Sequence, residues 1–136
     1  INEISILFIG DFMGHMDQIN AAYNKELNNY NYNKTFEKIN PILSDADISI
    51  GNLEVTLGVE PYSGYPRFSS PAEYASAIKT SGVDVLVTAN NHSCDKKKLG
   101  LEKTIAILDS LNIGHTGTFI NSDSKKKVSM LFDRKK

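Results

Sequence analysis

Dense apolar runs recur along this chain, and each one stops at a polar group. Residues 3–10 (EISILFIG) are apolar up to Gly10-Asp11, the profile of a central parallel strand buried on both faces. Residues 47–53 (DISIGNL) predict a second short strand, with Asn52 and Glu54 at its carboxyl end. Residues 83–95 (VDVLVTANNHSCD) predict a third, in which a β-forming stretch after Gly82 runs into the polar turn Asn90-Asn91-His92. On this reading Ile6, Leu7, Phe8, Ile50, Val85, Leu86 and Val87 are core positions of central strands.

Between these runs the spacing changes to that of helices. Met16, Ile19, Ala22, Tyr23 and Leu27 fall on one helical face, with Asp17 near its start, and an Asn- and Tyr-rich loop follows over residues 28–33. Asn33 can cap a helix carrying Phe36, Ile39, Ile42 and Leu43, whose regularity Pro41 limits. Ser70, Pro71 and Glu73 have the order of an N-cap, a first helical position and a capping box, ahead of Tyr74, Ala75 and Ile78 and a stop at Gly82. Leu101, Ile105, Leu108 and Leu111 mark another amphipathic helix, and residues 112–119 (NIGHTGTF) a short strand and turn. Strand and helix alternate about four times without repeats, which predicts an α/β domain with a largely parallel sheet.

Composition narrows the class. At 136 residues, 40% hydrophobic and net charge −1, the sequence is that of a soluble globular domain. It shows no basic excess of the kind nucleic-acid binding needs, no run approaching a membrane span, and no signal peptide ahead of its first strand. The lysine clusters at 96–98, 125–127 and 134–136 read as solvated loops. Cys94 has no partner for a disulfide and reads as small apolar filler. The first strand begins almost at Ile1, and residues 128–136 (VSMLFDRKK) read as a strand entering a turn. We therefore expect residues 1–136 to be the N-terminal part of a single longer domain.

The chemistry gathers at one end of the predicted sheet. Ligands of such sheets collect outside the carboxyl ends of the strands, where Asp11, Glu54, Asn91 and His92 are all expected. Carboxylate and amide oxygens with an imidazole bind hard or borderline cations and move protons. The residues 90–93 also fit a polar turn whose side chains satisfy backbone groups, and His15 reads as an exposed loop histidine. The stretch 55–69, with Gly58, Pro61, Gly64 and Pro66, is long enough to shape a pocket through Tyr62, Tyr65 and Arg67.

At these residues the sequence resembles the bacterial capsule-synthesis proteins associated with poly-gamma-glutamate, relatives of the calcineurin-like metallophosphoesterases. The resemblance is carried by Gly10-Asp11-Phe12-Met13, Asn52-Leu53-Glu54, residues 89–95 (ANNHSCD), residues 100–104 (GLEKT) and His115-Thr116-Gly117, and spans residues 4–119. It implies the α/β/β/α sandwich of that superfamily, only its N-terminal part present here. It also implies a two-metal centre (Mn, Mg or Fe) with Asp11, Glu54 and Asn91 as ligands, and His92 as proton donor or oxyanion partner. Asn52, Arg67 and Asp95 would touch substrate. Met13 stands where the phosphoesterases carry a first-motif histidine, and the later histidine motifs would lie beyond Lys136, so the resemblance implies an incomplete metal site in this chain.

Two functions remain open at this point. One is a metal-dependent phosphoester hydrolase within capsule synthesis, acting with membrane-associated capsule machinery at the cell envelope. The other is a non-catalytic envelope protein that binds polyglutamate or another anionic substrate as an assembly factor. A nucleotide-binding domain fits less well, because Gly10-Asp11-Phe12-Met13-Gly14 lacks the glycine spacing that cradles a pyrophosphate.

Overall fold

In a computed structural model that describes residues 3–126, four strands form one all-parallel sheet. They are β1 (Ile6–Phe12), β4 (Ile48–Leu53), β7 (Val85–Val87) and β8 (Gly114–Thr116), in that spatial order. The connections supply the rest. Helix α1 (Met16–Ala22), the hairpin β2 (Tyr23–Asn24) and β3 (Asn29–Tyr30), and helices α2 (Asn33–Phe36) and α3 (Asn40–Asp45) link β1 to β4. Between β4 and β7 lie β5 (Thr56–Leu57), β6 (Ser69–Ser70) and helix α4 (Ala72–Thr80). Helix α5 (Lys97–Ser110) leads to β8, and α6 (Ser122–Lys126) ends the described chain. The expected strand over residues 128–136 lies outside the described residues. The mixed α/β architecture with a parallel sheet agrees with the first part of a metallophosphoesterase-like domain.

The strand order explains where the core lies. Right-handed crossovers in a sheet whose order advances in one direction fall on one face. Leu7, Ile9, Phe12, Leu53 and Leu86 accordingly pack on that face with Ala22, Phe36, Leu43, Ile78 and Leu108 from the helices. Among the described residues β1 is an edge strand, not the central one its composition predicts. Ile6 is 51% and Phe8 73% exposed on the opposite face, and their neighbour Ile50 is half-buried, so the expected two-sided burial of β1 is not met. Val85 and Leu86 are buried as expected, and Val87 is half-buried.

Local chemistry shortens two helices. The helix expected through Leu27 stops at Ala22, because Asn24 Oδ1 accepts the backbone N–H groups of Glu26 and Leu27 and turns the chain into the β2–β3 hairpin. The helix expected from Asn33 through Leu43 is split in two, with Pro41 near the start of the second half, where its missing N–H is harmless. Ser70 does not cap α4. Its backbone pairs with Leu57 in the short β5–β6 ladder, Pro71 takes the cap position, and the Ser70 hydroxyl is buried without a partner among the described residues. Cys94 is exposed and not a filler of the core.

Tyr32 carries a testable cost. Its ring is buried edge-on to Tyr74 at 5.0 Å, and its hydroxyl has no hydrogen-bond partner among the described residues. An unsatisfied buried hydroxyl costs on the order of 1–3 kcal/mol, so Tyr32→Phe is expected to raise the urea midpoint. Burial pushes the Tyr32 and Tyr74 phenols well above their ordinary value of 10.0. Groups with raised folded pKa values contribute stability that is present below the unfolded value and lost above it. Unfolding midpoints measured against pH should therefore fall above about pH 10, and fall less steeply in Tyr32→Phe.

Candidate functional site

The carboxyl ends of β1, β4 and β7 are adjacent, so the three predicted groups of site residues share one rim. Asp11 pairs with Asn52 in the β1–β4 register, and Asn52 pairs with Val87 across β4–β7. The ladder continues one step past β4, where Glu54 N–H donates to the Phe12 carbonyl at 3.1 Å. Glu54 is thereby held beside the end of β1, half-buried, while Asp11 is exposed.

Asn52 is the hub of this rim. Its amide nitrogen donates to Asp11 Oδ1 at 2.7 Å and to Glu54 Oε2 at 2.8 Å. A chain of donors and acceptors sets that orientation. The Leu53 carbonyl can only accept, so the Asn90 group 2.8 Å from it is the NH₂, which also donates to Asn52 Oδ1 at 3.0 Å. The Asn52 NH₂ must then face the two carboxylates. This arrangement supplies donors to both carboxylates and keeps them together.

Beyond Asn90 the loop after β7 is built around Ser93 and His92. Ser93 Oγ bonds the Thr88 and Asn90 carbonyls and accepts the Asn90 N–H, closing the turn. His92 N–H donates to Asn90 Oδ1 at 3.1 Å, and His92 Nδ1 lies 2.7 Å from Asp95 Oδ2. An ionised carboxylate only accepts, so Nδ1 carries the hydrogen and Nε2 is the ring nitrogen left for other chemistry. The same Asp95 oxygen accepts the backbone N–H of Phe68 at 2.6 Å. Phe68 is fully buried and meets the His92 ring edge-on at 4.7 Å.

The residues read from sequence are thus distributed as follows. Asp11, Asn52 and Glu54 form one cluster, and His92 and Asp95 form a dyad joined to it through Asn90. Asn91 is exposed beside Asn90, and Arg67 is exposed next to Phe68. The sequence reading passed over Asn90 and Phe68. The Asn90-Asn91 doublet signals an amide at this place, but which of the two turns inward depends on the Ser93 clasp.

The two carboxylates, Asp11 and Glu54, are donors that suit a hard cation, although Asn52 turns its NH₂ rather than its oxygen toward them. They form a partial set, because among the described residues no three His, Cys, Asp or Glu gather closely enough to hold a metal ion. Also among the described residues, no helix is long and apolar enough to cross a membrane.

Comparison with known proteins places this rim in a family. The sequence profile of the bacterial capsule synthesis protein PGA_cap matches residues 5–136. The chain belongs to the bacterial capsule synthesis protein family. Within that setting it is 25% identical over 134 residues to "Capsule biosynthesis protein CapA" of Bacillus anthracis, across 93% of this chain and 31% of that protein. It is also 32% identical over 94 residues to two uncharacterized proteins of Sinorhizobium fredii, y4sH and y4uA, across 60% of this chain and 20% of each. The chain thus spans less than a third of the length of these relatives. The matched profile covers Asp11, Asn52, Glu54, Asn90, His92 and Asp95, so the capsule synthesis family match includes the whole hydrogen-bonded rim.

Proposed function

We propose that this capsule synthesis chain carries a metal-dependent phosphoester-hydrolase centre at the carboxyl rim of its sheet, acting at the cell envelope in the making of poly-gamma-glutamate capsule. The observation that carries the reading is the Asn52-bridged carboxylate pair, Asp11 and Glu54, beside the His92–Asp95 dyad. Asp11 and Glu54 would hold divalent cations, two in the full site, with an amide oxygen from Asn91. Oxygen-dominated ligation favours Mn, Mg or Fe. A bound cation supplies Lewis-acid polarisation of a phosphoryl oxygen.

The protein's own residues would do the rest. Asp95 orients the imidazole through Nδ1, so that His92 Nε2, when protonated, can give a proton to a leaving oxygen or hold a phosphoryl oxygen. Arg67, exposed next to Phe68, offers a planar pair of donors for an anionic substrate. The direct test is calorimetric titration with Mn²⁺ together with turnover of a generic phosphoester. Asp11→Asn and Glu54→Gln are each expected to weaken Mn²⁺ binding by more than about tenfold. Unchanged binding in both variants would remove the metal from this rim.

The alternative, an anion-binding assembly factor, uses the same rim without turnover. Mn²⁺-dependent hydrolysis that disappears with Asp11→Asn separates the two readings, since a binding protein would retain its anion and hydrolyse nothing.

A further inference from the structure

We propose that His15 is a second anion-binding imidazole of this site, docked on the same Phe68 ring as His92, so that a substrate presents oxyanion groups to both. The proposal rests on the functional reading of the rim and deepens it. His15 is exposed, yet it is held unusually firmly for a surface histidine. Its ring meets Phe68 edge-on at 5.0 Å and 88°, and the same phenylalanine meets His92 at 4.7 Å and 83°. Phe68 cannot move to relax either contact. It is fully buried, its carbonyl accepts the Thr56 hydroxyl at 2.7 Å, and its N–H is held by Asp95. Two imidazoles docked on one fixed ring have a fixed separation.

The backbone beneath His15 is clamped as well. A Cβ on Gly14 would lie 2.2 Å from the Ser70 hydroxyl, so the chain entering His15 is pressed against β6. A Cβ on Gly64 would lie 2.7 Å from the Met16 nitrogen and 3.3 Å from the His15 Cα, so the long loop is seated directly on His15. Gln18 Oε1 accepts the His15 N–H at 2.9 Å. An exposed imidazole fixed at both backbone and ring is a preorganised donor. The segments that fix it also carry Arg67, next to Phe68 in sequence. The groups therefore divide by element: carboxylates at the ends of β1 and β4, and imidazoles on Phe68. The ligand chemistry that matches His15 and His92 is an oxyanion, phosphoryl or carboxylate, reached by charge-assisted hydrogen bonds.

A purely structural role would be to start α1, and His15→Asn isolates it, because asparagine is a strong N-cap without an imidazole. The chain has three histidines, and His115 serves as internal control, its ring engaged by Asp109 at 2.9 Å. The experiment follows the imidazole NMR signals of His15, His92 and His115 in the Mg²⁺-supplemented protein, titrating inorganic phosphate in one arm and glutamate in the other. The expected result is that His15 and His92 shift with one common Kd while His115 stays still, and the responding arm identifies the oxyanion. His15→Asn should weaken the Kd read at His92 by about tenfold with an unchanged thermal midpoint, and His15→Gln should do the same if the asparagine variant folds poorly. Movement of His92 alone, with wild-type affinity in the variants, would overturn the role of His15 and leave the functional reading standing. Stillness of both histidines in both arms would overturn the two together.

Discussion

His92→Ala is expected to lower Mn²⁺-dependent turnover of a generic phosphoester by about 10²–10⁴-fold, the range that a positioned general acid or base contributes. The substitution should leave the fold in place, because His92 is only half-buried and the turn that carries it is closed by Ser93 rather than by the imidazole. Asp95→Asn tests the other half of the dyad. An amide oxygen can still accept the Phe68 N–H and the His92 Nδ1–H, but it no longer stabilises an imidazolium. Its expected loss is smaller than that of His92→Ala, because the imidazole keeps its hydrogen-bonded orientation. Turnover of His92→Ala equal to wild type would remove the dyad from the chemistry.

Which parts of this structure are legible in the sequence follows from how local each determinant is. The strands Ile48–Leu53 and Val85–Val87 were readable because short apolar runs bounded by polar turns have few other solutions. Strand Ile6–Phe12 was readable as a strand but not as an edge. Its apolar run describes a segment with two apolar faces, whereas the strand order puts the described helices on one of them. Composition contains no information on strand order. Helix ends were lost where side chains compete for the backbone, as Asn24 does after Ala22, or where the backbone is already paired, as at Ser70.

The candidate site divides in the same way. That Asp11, Asn52, Glu54, Asn91, His92 and Asp95 gather at one rim was expected from their places at or just after the carboxyl ends of strands, and the parallel register joins those strand ends. The internal wiring did not follow. The choice of Asn90 as the inward amide depends on the Leu53 carbonyl, 37 residues away, and on the Ser93 clasp. The place of Phe68 beneath His92 depends on a loop that looks structureless in sequence. In the fold that loop is pinned by the β5–β6 ladder, by the Ser63–Ser69 bridge and by the bond from Leu57 N–H to Thr104 Oγ1.

Phe68→Ala should therefore show the largest loss of stability together with a loss of site function. Truncating a fully buried phenylalanine costs about 3–5 kcal/mol, the sum of lost transfer energy and the cavity left behind, and Phe68 has no exposed surface through which the site could be hydrated cheaply. That is a large part of the 5–15 kcal/mol typical of a native domain, so the urea midpoint should fall strongly. Phe68→Leu refills most of the volume and should recover much of the stability. It cannot restore the two edge-on ring contacts with His15 and His92, because leucine has no aromatic ring. If Phe68 fixes the spacing of the two histidines, Phe68→Leu will fold yet bind oxyanions more weakly. If it is only core, the leucine variant will bind as tightly as wild type, and a denaturation curve measured beside an anion titration on the same sample distinguishes the two.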